Sequence, residues 1–443
     1  MATATPPAGA PQPPGSAGLP GIGETLAFTK DPFGFVQERR ARYGRVFRTS
    51  LLGRMTAVLV GPEPIEAFYD PDNVVRDGAN PSNVQTLFGG GGVINNLDGA
   101  AHAQRRGSVS AALSRDAIEA YMPTMTRFVD AAFARWVGAG EIGWNFELKQ
   151  LTIHTLGAVL ASIESEAELT ALVTRCERIA AGFTALPIPF PGTTYTIGLR
   201  AKDAALAYYR ELVRTHRERA YDDGLTRLLA ARRADGTTIG DDEAPGELHH
   251  LFLAGFVVFA QFAATIVHLT EHPEAHERLA AALAPLSDAP TAAELAANAY
   301  LMEVVDEVRR LTPIVPIVFG KARRSFVVDG FAIPAGWGVA AAVWANDREA
   351  ATYRDPERFD PDRFGARDEA ARPYSYTPQG GGPPEGHRCP GFDLTTIFMA
   401  LFTARLVRGF SWVLPQQDLA PHWALIPPVP RGGLRAVVRP LQP

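Results

Sequence analysis

The longest apolar stretch of the chain is ELHHLFLAGFVVFAQFAATIVHLTE, residues Glu247–Glu271, which is followed directly by His272-Pro273. Its composition and the stop at proline predict one continuous helix. At the usual rise per residue this helix would span on the order of 35–40 Å, the width of a whole domain. Because it is apolar nearly all round, it is expected to be buried on most sides. The rest of the fold should therefore pack around this helix.

Helical patterns also dominate the remainder of the chain, with strand-like patterns near its start. Two stretches rich in β-forming residues, Arg45–Leu52 and Thr56–Gly61, are separated by turn residues. Helical patterns cover residues 116–231, except in the proline-rich loop Leu186–Thr194, and a further helix is predicted over Ala292–Leu311. The sequence therefore predicts a mainly α fold of the α+β type, with small sheets at one side.

The first residues, the net charge and the cysteines of the chain indicate its domain organisation and its cellular setting. Residues 1–18 are mostly Pro, Ala and Gly with no charged side chain, so they are predicted to be disordered, and residues 19–443 to form a single domain. The net charge of -5 gives no sign of a nucleic-acid partner. Neither a signal peptide nor a membrane span is predicted. The two cysteines, Cys176 and Cys389, suit a reducing cytoplasm better than a disulfide framework.

A glycine-rich loop, PQGGGPPEGHRCPGFD, precedes the last long apolar helix, predicted over Leu394–Val407. Cys389 lies at the mouth of this helix, where backbone N–H groups and the positive helix end would stabilise a thiolate. The glycines let the backbone approach a large flat group without side-chain clashes. An anionic sulfur with this clearance suits an axial ligand of haem iron. The alternative is a buried structural cysteine. For a cysteine without this loop, that interpretation would be favoured.

An acid and a base lie three residues apart on the predicted helix that ends at Leu311. Glu307 and Arg310 share one face of this helix, because of their spacing. A solvated ion pair is the common interpretation of such a spacing. The apolar residues around the pair instead favour a buried, hydrogen-bonded pair, and a role in fixing the structure is a hypothesis.

Taken jointly, these motifs resemble those of the cytochrome P450 superfamily. Glu307-x-x-Arg310, the segment PERFDPDRF and the loop with Cys389 follow one another as in that family, and the resemblance extends from Leu19 to the C-terminus. It implies the P450 fold, a haem b cofactor held through the Cys389 sulfur, and a soluble bacterial enzyme acting on a small organic molecule. The family pattern has a phenylalanine seven residues before the cysteine, where this chain has Gly382.

A narrower resemblance is to the bacterial fatty-acid-hydroxylating peroxygenase branch of that family. It rests on PQGGGPPEGHRCPG, TLFGGGGV, LDGAAHAQRR, LPIPFPGTTY and EVRRLTPIVP. The resemblance implies that His102, Arg106 and His387 contact the haem propionates, through charge-assisted hydrogen bonds. It also implies that Lys321 and Phe88 lie near the haem.

The long apolar helix would cross the oxygen-binding face of the haem, and it departs from both family patterns. The peroxygenase branch has an Arg-Pro pair, whose arginine binds the fatty-acid carboxylate, where this chain has Leu253-Ala254. The monooxygenase pattern has an acid followed by an alcohol, where this chain has Val257-Val258. Neither usual route for delivering protons to bound oxygen is therefore present in this helix.

The loop VINNLDG is a further departure, because it offers Asn95 or Asn96 where the branch has Gln or His above the haem. An amide can form hydrogen bonds but does not titrate near neutral pH, so it is a poor proton relay. The candidate catalytic positions are therefore Asn95, Asn96, Leu253, Ala254 and Val257.

Three functions are compatible with these residues. The first is an oxidoreductase that hydroxylates a C–H bond of an organic substrate, with carboxylic-acid derivatives among the options, in a specialised biosynthetic step. Its oxidant would be hydrogen peroxide, or dioxygen with a ferredoxin and reductase as partners. The second is a haem-dependent dehydratase or isomerase without oxygen activation, and the third is a non-enzymatic haem or ligand carrier. The intact haem-anchoring residues favour the first.

Overall fold

The computed structural model describes residues 9–51, 53–365, 367, 371–422, 425 and 427–441. Its helices, in chain order, are α1 (Thr25–Lys30), α2 (Pro32–Tyr43), α3 (Pro62–Tyr69), α4 (Ser82–Leu87), α5 (Gly99–Ala111), α6 (Arg115–Gly138), α7 (Trp144–Ala161), α8 (Glu166–Phe183), α9 (Thr194–Glu218), α10 (Gly224–Ala230), α11 (Ala244–Phe256), α12 (Phe259–Glu271), α13 (Pro273–Leu283), α14 (Ala292–Ala297), α15 (Ala299–Leu311), α16 (Val343–Asn346) and α17 (Phe392–Gly409). Its strands are β1 (Val46–Leu51), β2 (Arg54–Leu59), β3 (Val74–Val75), β4 (Glu141–Gly143), β5 (Val318–Ala322), β6 (Phe326–Val328), β7 (Phe331–Ile333), β8 (Gly338–Ala341), β9 (Phe410–Val413) and β10 (Arg435–Pro440). The predicted mainly α fold with small sheets is confirmed.

The central apolar stretch forms two helices rather than the single helix predicted over Glu247–Glu271. Helices α11 and α12 are separated by a tight turn at Val257 and Val258. The Val258 N–H donates to the Gly255 carbonyl at 3.1 Å, three residues back, as in a 3₁₀ turn. A glycine followed so closely by two β-branched residues lowers the helix propensity at this point. The prediction of one continuous helix is therefore wrong at its centre.

Residues 244–271 are long and apolar enough to cross a membrane, and they are the one such stretch within the described part of the chain. In the fold, 78% of the most apolar window of this stretch is buried. Phe252, Phe256 and Phe262 from these helices lie in the largest hydrophobic cluster. The apolar surface of α11 and α12 thus faces the protein interior.

A second predicted helix is also divided. The pattern over Ala292–Leu311 forms α14 and α15, which meet at Asn298. The Asn298 side chain accepts a hydrogen bond from the Leu301 N–H at 3.1 Å and donates one to the Ala282 carbonyl at 2.7 Å. Asparagine at a helix N-cap satisfies free backbone groups in this way, which makes the break favourable. The helix predicted after Cys389 is confirmed as α17.

The sheets lie in three groups. The largest has the strand order β1-β2-β8-β5-β3, in which only β2 and β8 are parallel neighbours. The order β4-β10-β9 forms a second sheet, and β6 pairs with β7. The two strands predicted near the start of the chain are confirmed as β1 and β2, with Val46 opposite Leu59. Leu52, the predicted end of the first strand, lies outside the described residues.

Part of the segment predicted to be disordered, residues 1–18, is hydrogen-bonded to the largest sheet. The Arg48 N–H donates to the Pro14 carbonyl at 2.8 Å, and the Ser16 N–H donates to the Arg48 carbonyl at 3.3 Å. The edge of β1 supplies these backbone partners, so the segment docks through backbone hydrogen bonds. The prediction therefore does not hold for this part, and residues 1–8 lie outside the described residues.

A buried ion pair connects α15 to the segment PERFDPDRF. Glu307, Arg310 and Arg363 are all fully buried. The Glu307 carboxylate accepts hydrogen bonds from Arg310 at 2.7 and 2.8 Å, from Arg363 at 3.0 Å and from the Asp360 N–H at 2.8 Å. Glu307 and Arg310 thus form the predicted buried pair, and Arg363 also binds the Glu307 carboxylate.

Replacing Glu307 by alanine should lower the free energy of unfolding by about 3–5 kcal/mol, because two guanidinium groups would remain buried without their carboxylate. Urea denaturation followed by circular dichroism measures this loss. The exposed Glu277 on α13 is the matched control, and Glu277→Ala should change the free energy by about 0.5 kcal/mol or less. A loss below about 1 kcal/mol for Glu307→Ala would contradict the structural role of the pair.

Candidate active site

The loop that carries Cys389 folds back on itself before α17 begins. The Cys389 N–H donates to the Gln379 carbonyl at 2.9 Å, and Gly391 is the N-cap of α17. Gly380 has a φ of +91°, and a Cβ atom there would lie 3.1 Å from the His387 carbonyl oxygen. A side chain at Gly380 would therefore both strain the backbone and open the loop. The position of the Cys389 sulfur depends on this close backbone packing.

The Cys389 side chain keeps part of its surface accessible, whereas Cys176 is fully buried. Burial raises the pKa of the Cys389 thiol, and the Gly391 N–H and the positive charges of Arg106 and Arg309 act in the opposite direction. The sequence predicts that the helix end stabilises a thiolate, but in the structure burial outweighs that effect. A thiolate at this position therefore needs a bound metal ion opposite it, because a coordinating thiol is deprotonated outright.

His102 and His387 come together beside this loop, as the resemblance implies. Their ring centroids are 4.2 Å apart, and His387 Nε2 lies 3.4 Å from the Asp98 carboxylate. Burial, together with the neighbouring His387 and Arg106, lowers the pKa of His102 to about 4. A neutral histidine ring at this place can still donate an N–H to a carboxylate of a bound cofactor.

Arg106 contacts the cysteine loop in the structure, and the propionate contact implied by the resemblance stays a prediction. Its guanidinium donates to the Arg388 carbonyl at 2.5 Å and also to the Pro384 carbonyl. Both acceptors belong to the cysteine loop, whereas Arg106 lies on α5. Arg106 therefore holds the loop against α5 through these carbonyl groups.

Arg76 is a functional candidate that the sequence does not reveal. Its side chain is only 4% exposed, and its Nη1 has no hydrogen-bond partner among the described residues. Its guanidinium stacks 4.1 Å from the centre of the Phe68 ring, and its backbone N–H donates to Asp98 at 2.8 Å. A buried guanidinium nitrogen without a partner is costly unless an anion binds it. Arg76 follows a two-residue strand in no recognisable motif, so no sequence signal marks it.

The neighbouring strand β5 explains both the place of Arg76 and the orientation of Lys321. A Cβ atom at Gly320 would lie 2.9 Å from Arg76 Nη1, so the glycine leaves space for the guanidinium. Successive side chains on a strand point to opposite faces, so Lys321 points away from the face occupied by Arg76. Its Nζ lies near Gly78 instead. The structure therefore does not bring Lys321 into the cluster of Arg76, His102 and His387, which we call the Arg76 cluster.

The candidate catalytic residues on and beside α11 differ in their exposure. Ala254 is exposed and Val257 is half-buried, although Ala254 lies on the mostly buried α11 and Val257 lies in the turn that follows it. Exposure at this depth indicates that these two residues border an internal space. Leu253 is only 3% exposed and packs in the core. Of the predicted pair Leu253-Ala254, only Ala254 therefore lines this space, since consecutive helical residues point in different directions.

The two candidate asparagines also differ. Asn96 is 2% exposed, donates to the Gly90 carbonyl at 3.0 Å and accepts from the Asn80 amide at 3.0 Å. Its hydrogen bonds close the glycine-rich loop, so it has a structural role. Asn95 is half-buried, and its Oδ1 has no hydrogen-bond partner among the described residues. Asn95 is therefore the asparagine that remains available to a ligand.

His250 is the second candidate that sequence reasoning missed. It lies four residues before Ala254 on α11, hence on the same face. Its ring contacts the edge of Phe88 at a centroid distance of 5.7 Å, and Phe88 stacks on Phe183 at 4.7 Å. His250 Nδ1 lies 3.8 Å from Oε2 of the fully buried Glu247. The four-residue spacing from Ala254 was the signal that marks His250 in the sequence.

A sequence profile described as Cytochrome P450 matches residues 13–426. The chain belongs to the cytochrome P450 family. The haem b cofactor and the oxidoreductase class implied by the motifs are therefore confirmed for this chain. The glycine clearance around Cys389 and the unpartnered Arg76 nitrogen fit this cofactor, since one supplies an accessible sulfur and the other a partner for a carboxylate.

Relatives at similar length come from several kingdoms. The putative cytochrome P450 120 of Synechocystis sp. is 29% identical over 429 residues, covering 95% of each chain. Abscisic acid 8′-hydroxylase 2 of Oryza sativa subsp. indica is 28% identical and covers 96% of this chain and 85% of that protein. The structure of retinoic acid bound cyanobacterial CYP120A1 has a TM-score of 0.90 at 28% identity, covering 98% and 100% of the two chains.

Structures from the peroxygenase branch are also similar. A structure of cytochrome P450SP alpha (CYP152B1) has a TM-score of 0.82 at 24% identity, covering 94% of this chain and 99% of that chain. At this identity the likeness shows the shared fold alone. The use of peroxide by this chain therefore stays a prediction.

Replacing Arg76 by glutamine should speed the loss of haem to an excess of an apo-globin acceptor by about tenfold or more, because a charge-assisted hydrogen bond contributes roughly 1.5–3 kcal/mol. The rate is measured from the change in the Soret band. Lys321→Gln is the matched control and should leave the rate within about twofold. Equal rates for wild type and Arg76→Gln, or a larger effect of Lys321→Gln, would contradict the assignment of Arg76.

Proposed function

We propose that this chain hydroxylates a C–H bond of a lipophilic carboxylic acid at a haem held by Cys389. The observation that carries the proposal is the arrangement of an accessible cysteine sulfur beside the Arg76 cluster of Arg76, His102 and His387. Bound haem b supplies the oxygen-activating chemistry, and the chain supplies the binding, orientation and exclusion of water. Cys389 would hold the iron, and the Arg76 cluster would hold the propionates.

The residues that border the internal space favour an apolar substrate. Phe88, Ala254 and Val257 offer no charge, and Phe88 is fixed by its stacking on Phe183. These side chains would exclude water and contact a hydrocarbon body, as the walls of small-molecule sites commonly do. His250 is the polar group on the same face of α11.

An acidic substrate group fits His250. The retinoic acid bound by CYP120A1 and the abscisic acid named for the rice hydroxylase are both carboxylic acids. Glu247 Oε2 lies 3.8 Å from His250 Nδ1, and Arg105 donates to the same carboxylate at 2.5 Å. We therefore assign His250 as the residue that binds the substrate carboxylate. It would replace the arginine that the peroxygenase branch has at the position of Leu253.

A second candidate, haem-dependent isomerisation or dehydration without oxygen activation, is favoured by one observation. Val257 and Val258 stand where the family pattern has an acid and an alcohol, so proton delivery to oxygen lacks its usual groups in the described part of these helices. The oxidant of the first candidate is hydrogen peroxide, or dioxygen with a ferredoxin and its reductase. Either function suits the cytoplasmic setting that the sequence predicts.

Incubation of the haem-loaded protein with all-trans-retinoic acid separates these functions. Mass spectrometry should detect a product with one added oxygen atom, either with hydrogen peroxide or with ferredoxin, reductase and NADPH. A rearranged product formed without oxidant would favour isomerisation. Cys389→Ser is the control and should abolish either product, since the iron loses its thiolate ligand. A product that persists in Cys389→Ser, or no product from this and other lipophilic acids, would contradict the proposal.

Replacing His250 by glutamine should raise the Kd for retinoic acid by about tenfold, because the acid loses a hydrogen bond worth roughly 1.5 kcal/mol. The Kd is measured from the Soret shift on titration. The methyl ester of retinoic acid should bind wild type and His250→Gln alike, since it has no carboxylate. His276→Gln, which packs on Trp412 instead, is the control. An equal loss of affinity for acid and ester would show a packing role and contradict this assignment.

A further inference from the structure

We propose that His268, Glu271 and His272 form a binding site for a divalent transition-metal ion such as Zn²⁺, separate from the haem. The three residues lie at the end of α12, where α13 begins. One ligand atom from each lies within 4.8 Å of the others, and this is the one such group of His, Cys, Asp or Glu among the described residues. Only a small side-chain adjustment is therefore needed to surround an ion.

The spacing and the types of these residues select the kind of ion. Positions i, i+3 and i+4 of a helix share one face, so both imidazoles and the carboxylate point the same way. Imidazole ligands suit Zn²⁺, Cu²⁺, Ni²⁺ and Co²⁺, whereas Ca²⁺ and Mg²⁺ need more oxygen ligands than Glu271 supplies. Water would complete a four-coordinate Zn²⁺ site.

A hydrogen bond fixes the tautomer of His272 in the form that binds metals. His272 Nδ1 lies 3.0 Å from the carbonyl oxygen of His268. A carbonyl oxygen can only accept, so Nδ1 carries the proton and Nε2 presents its lone pair. Metal-binding histidines commonly donate their second N–H to a backbone carbonyl in this way. The orientation of His272 is thus set before any ion binds.

Phe359 holds both rings. It stacks flat on His268, with a centroid distance of 4.8 Å and an interplanar angle of 7°, and it lies 5.0 Å from the ring of His272. Burial lowers the pKa of His268 to about 3, with His272 and Arg348 acting in the same direction. His268 is therefore neutral at physiological pH, as a metal ligand must be.

Positive charges near the cluster limit its affinity. Arg348 and Arg310 lie close enough to disfavour charge on His268. Each is paired with an acid, since Arg348 contacts Glu357 at 3.0 Å and Arg310 contacts Glu307 at 2.7 Å. The site also supplies a single carboxylate. We therefore expect a Kd on the order of 10 μM for Zn²⁺, weaker than that of closed four-ligand sites.

Calorimetric titration of ZnCl₂ into the haem-loaded full chain, after dialysis against EDTA, tests the site. Wild type should bind one Zn²⁺, and Glu271→Gln and His272→Gln should each weaken binding by about tenfold or more. His276→Gln, on α13 but outside the cluster, is the matched control and should bind like wild type. Glu271 is exposed, so Glu271→Gln is expected to fold normally.

Thermal unfolding provides an independent measurement. Zn²⁺ at about one hundred times its Kd should raise the Tm of wild type and of His276→Gln, because binding to the folded state stabilises it. The same Zn²⁺ concentration should leave the Tm of His272→Gln unchanged. Absence of saturable Zn²⁺ binding at about 1 mM, equal affinity in wild type and both cluster variants, or equal binding of Ca²⁺ would each overturn the proposal.

Discussion

The docking of the cysteine loop onto α5 through the Arg106 guanidinium is the interaction on which the site depends. Arg106 donates to two carbonyl groups of the loop, and the Cys389 N–H is held by the Gln379 carbonyl. These bonds fix the sulfur relative to His102, which lies one helical turn before Arg106 on α5. One guanidinium group thus sets the distance between the Cys389 sulfur and the residues proposed to hold the cofactor's carboxylates. Loss of this contact would separate them even if each element stayed folded.

The burial of ionisable groups is the second constraint on this part of the protein. Arg76, His102 and His387 are placed where burial works against their charged forms, and Asp98 is the acid nearest to them. Such an arrangement is unfavourable alone and becomes favourable when an anion binds. Under the proposed function, the carboxylates of the cofactor would bind here and offset this cost. Haem binding and the stability of this region should accordingly be coupled.

The sequence predicts those features that depend on local spacing. The pair Glu307 and Arg310 and the helix after Cys389 follow from short-range patterns, and the structure has them. Arg76 could not be predicted, because its role depends on the space left by Gly320, a residue distant in the chain. The break at Val257–Val258 was missed for a related reason. An apolar pattern predicts which residues are buried. It does not predict where the backbone hydrogen bonds of a helix are interrupted.

The polar groups of the central helices have moved along the axis rather than disappeared. Leu253 packs in the core and Val257 is apolar, but His250 lies one turn before Ala254 and faces the same side. The buried Glu247 lies 3.8 Å from that histidine and is paired with Arg105. Because His250 lies three residues before position 253, it would place the substrate's acid group about 4.5 Å further along the helix. The carbon presented to the iron should then differ from that in the peroxygenase branch, which makes regiochemistry the property most directly set by this displacement.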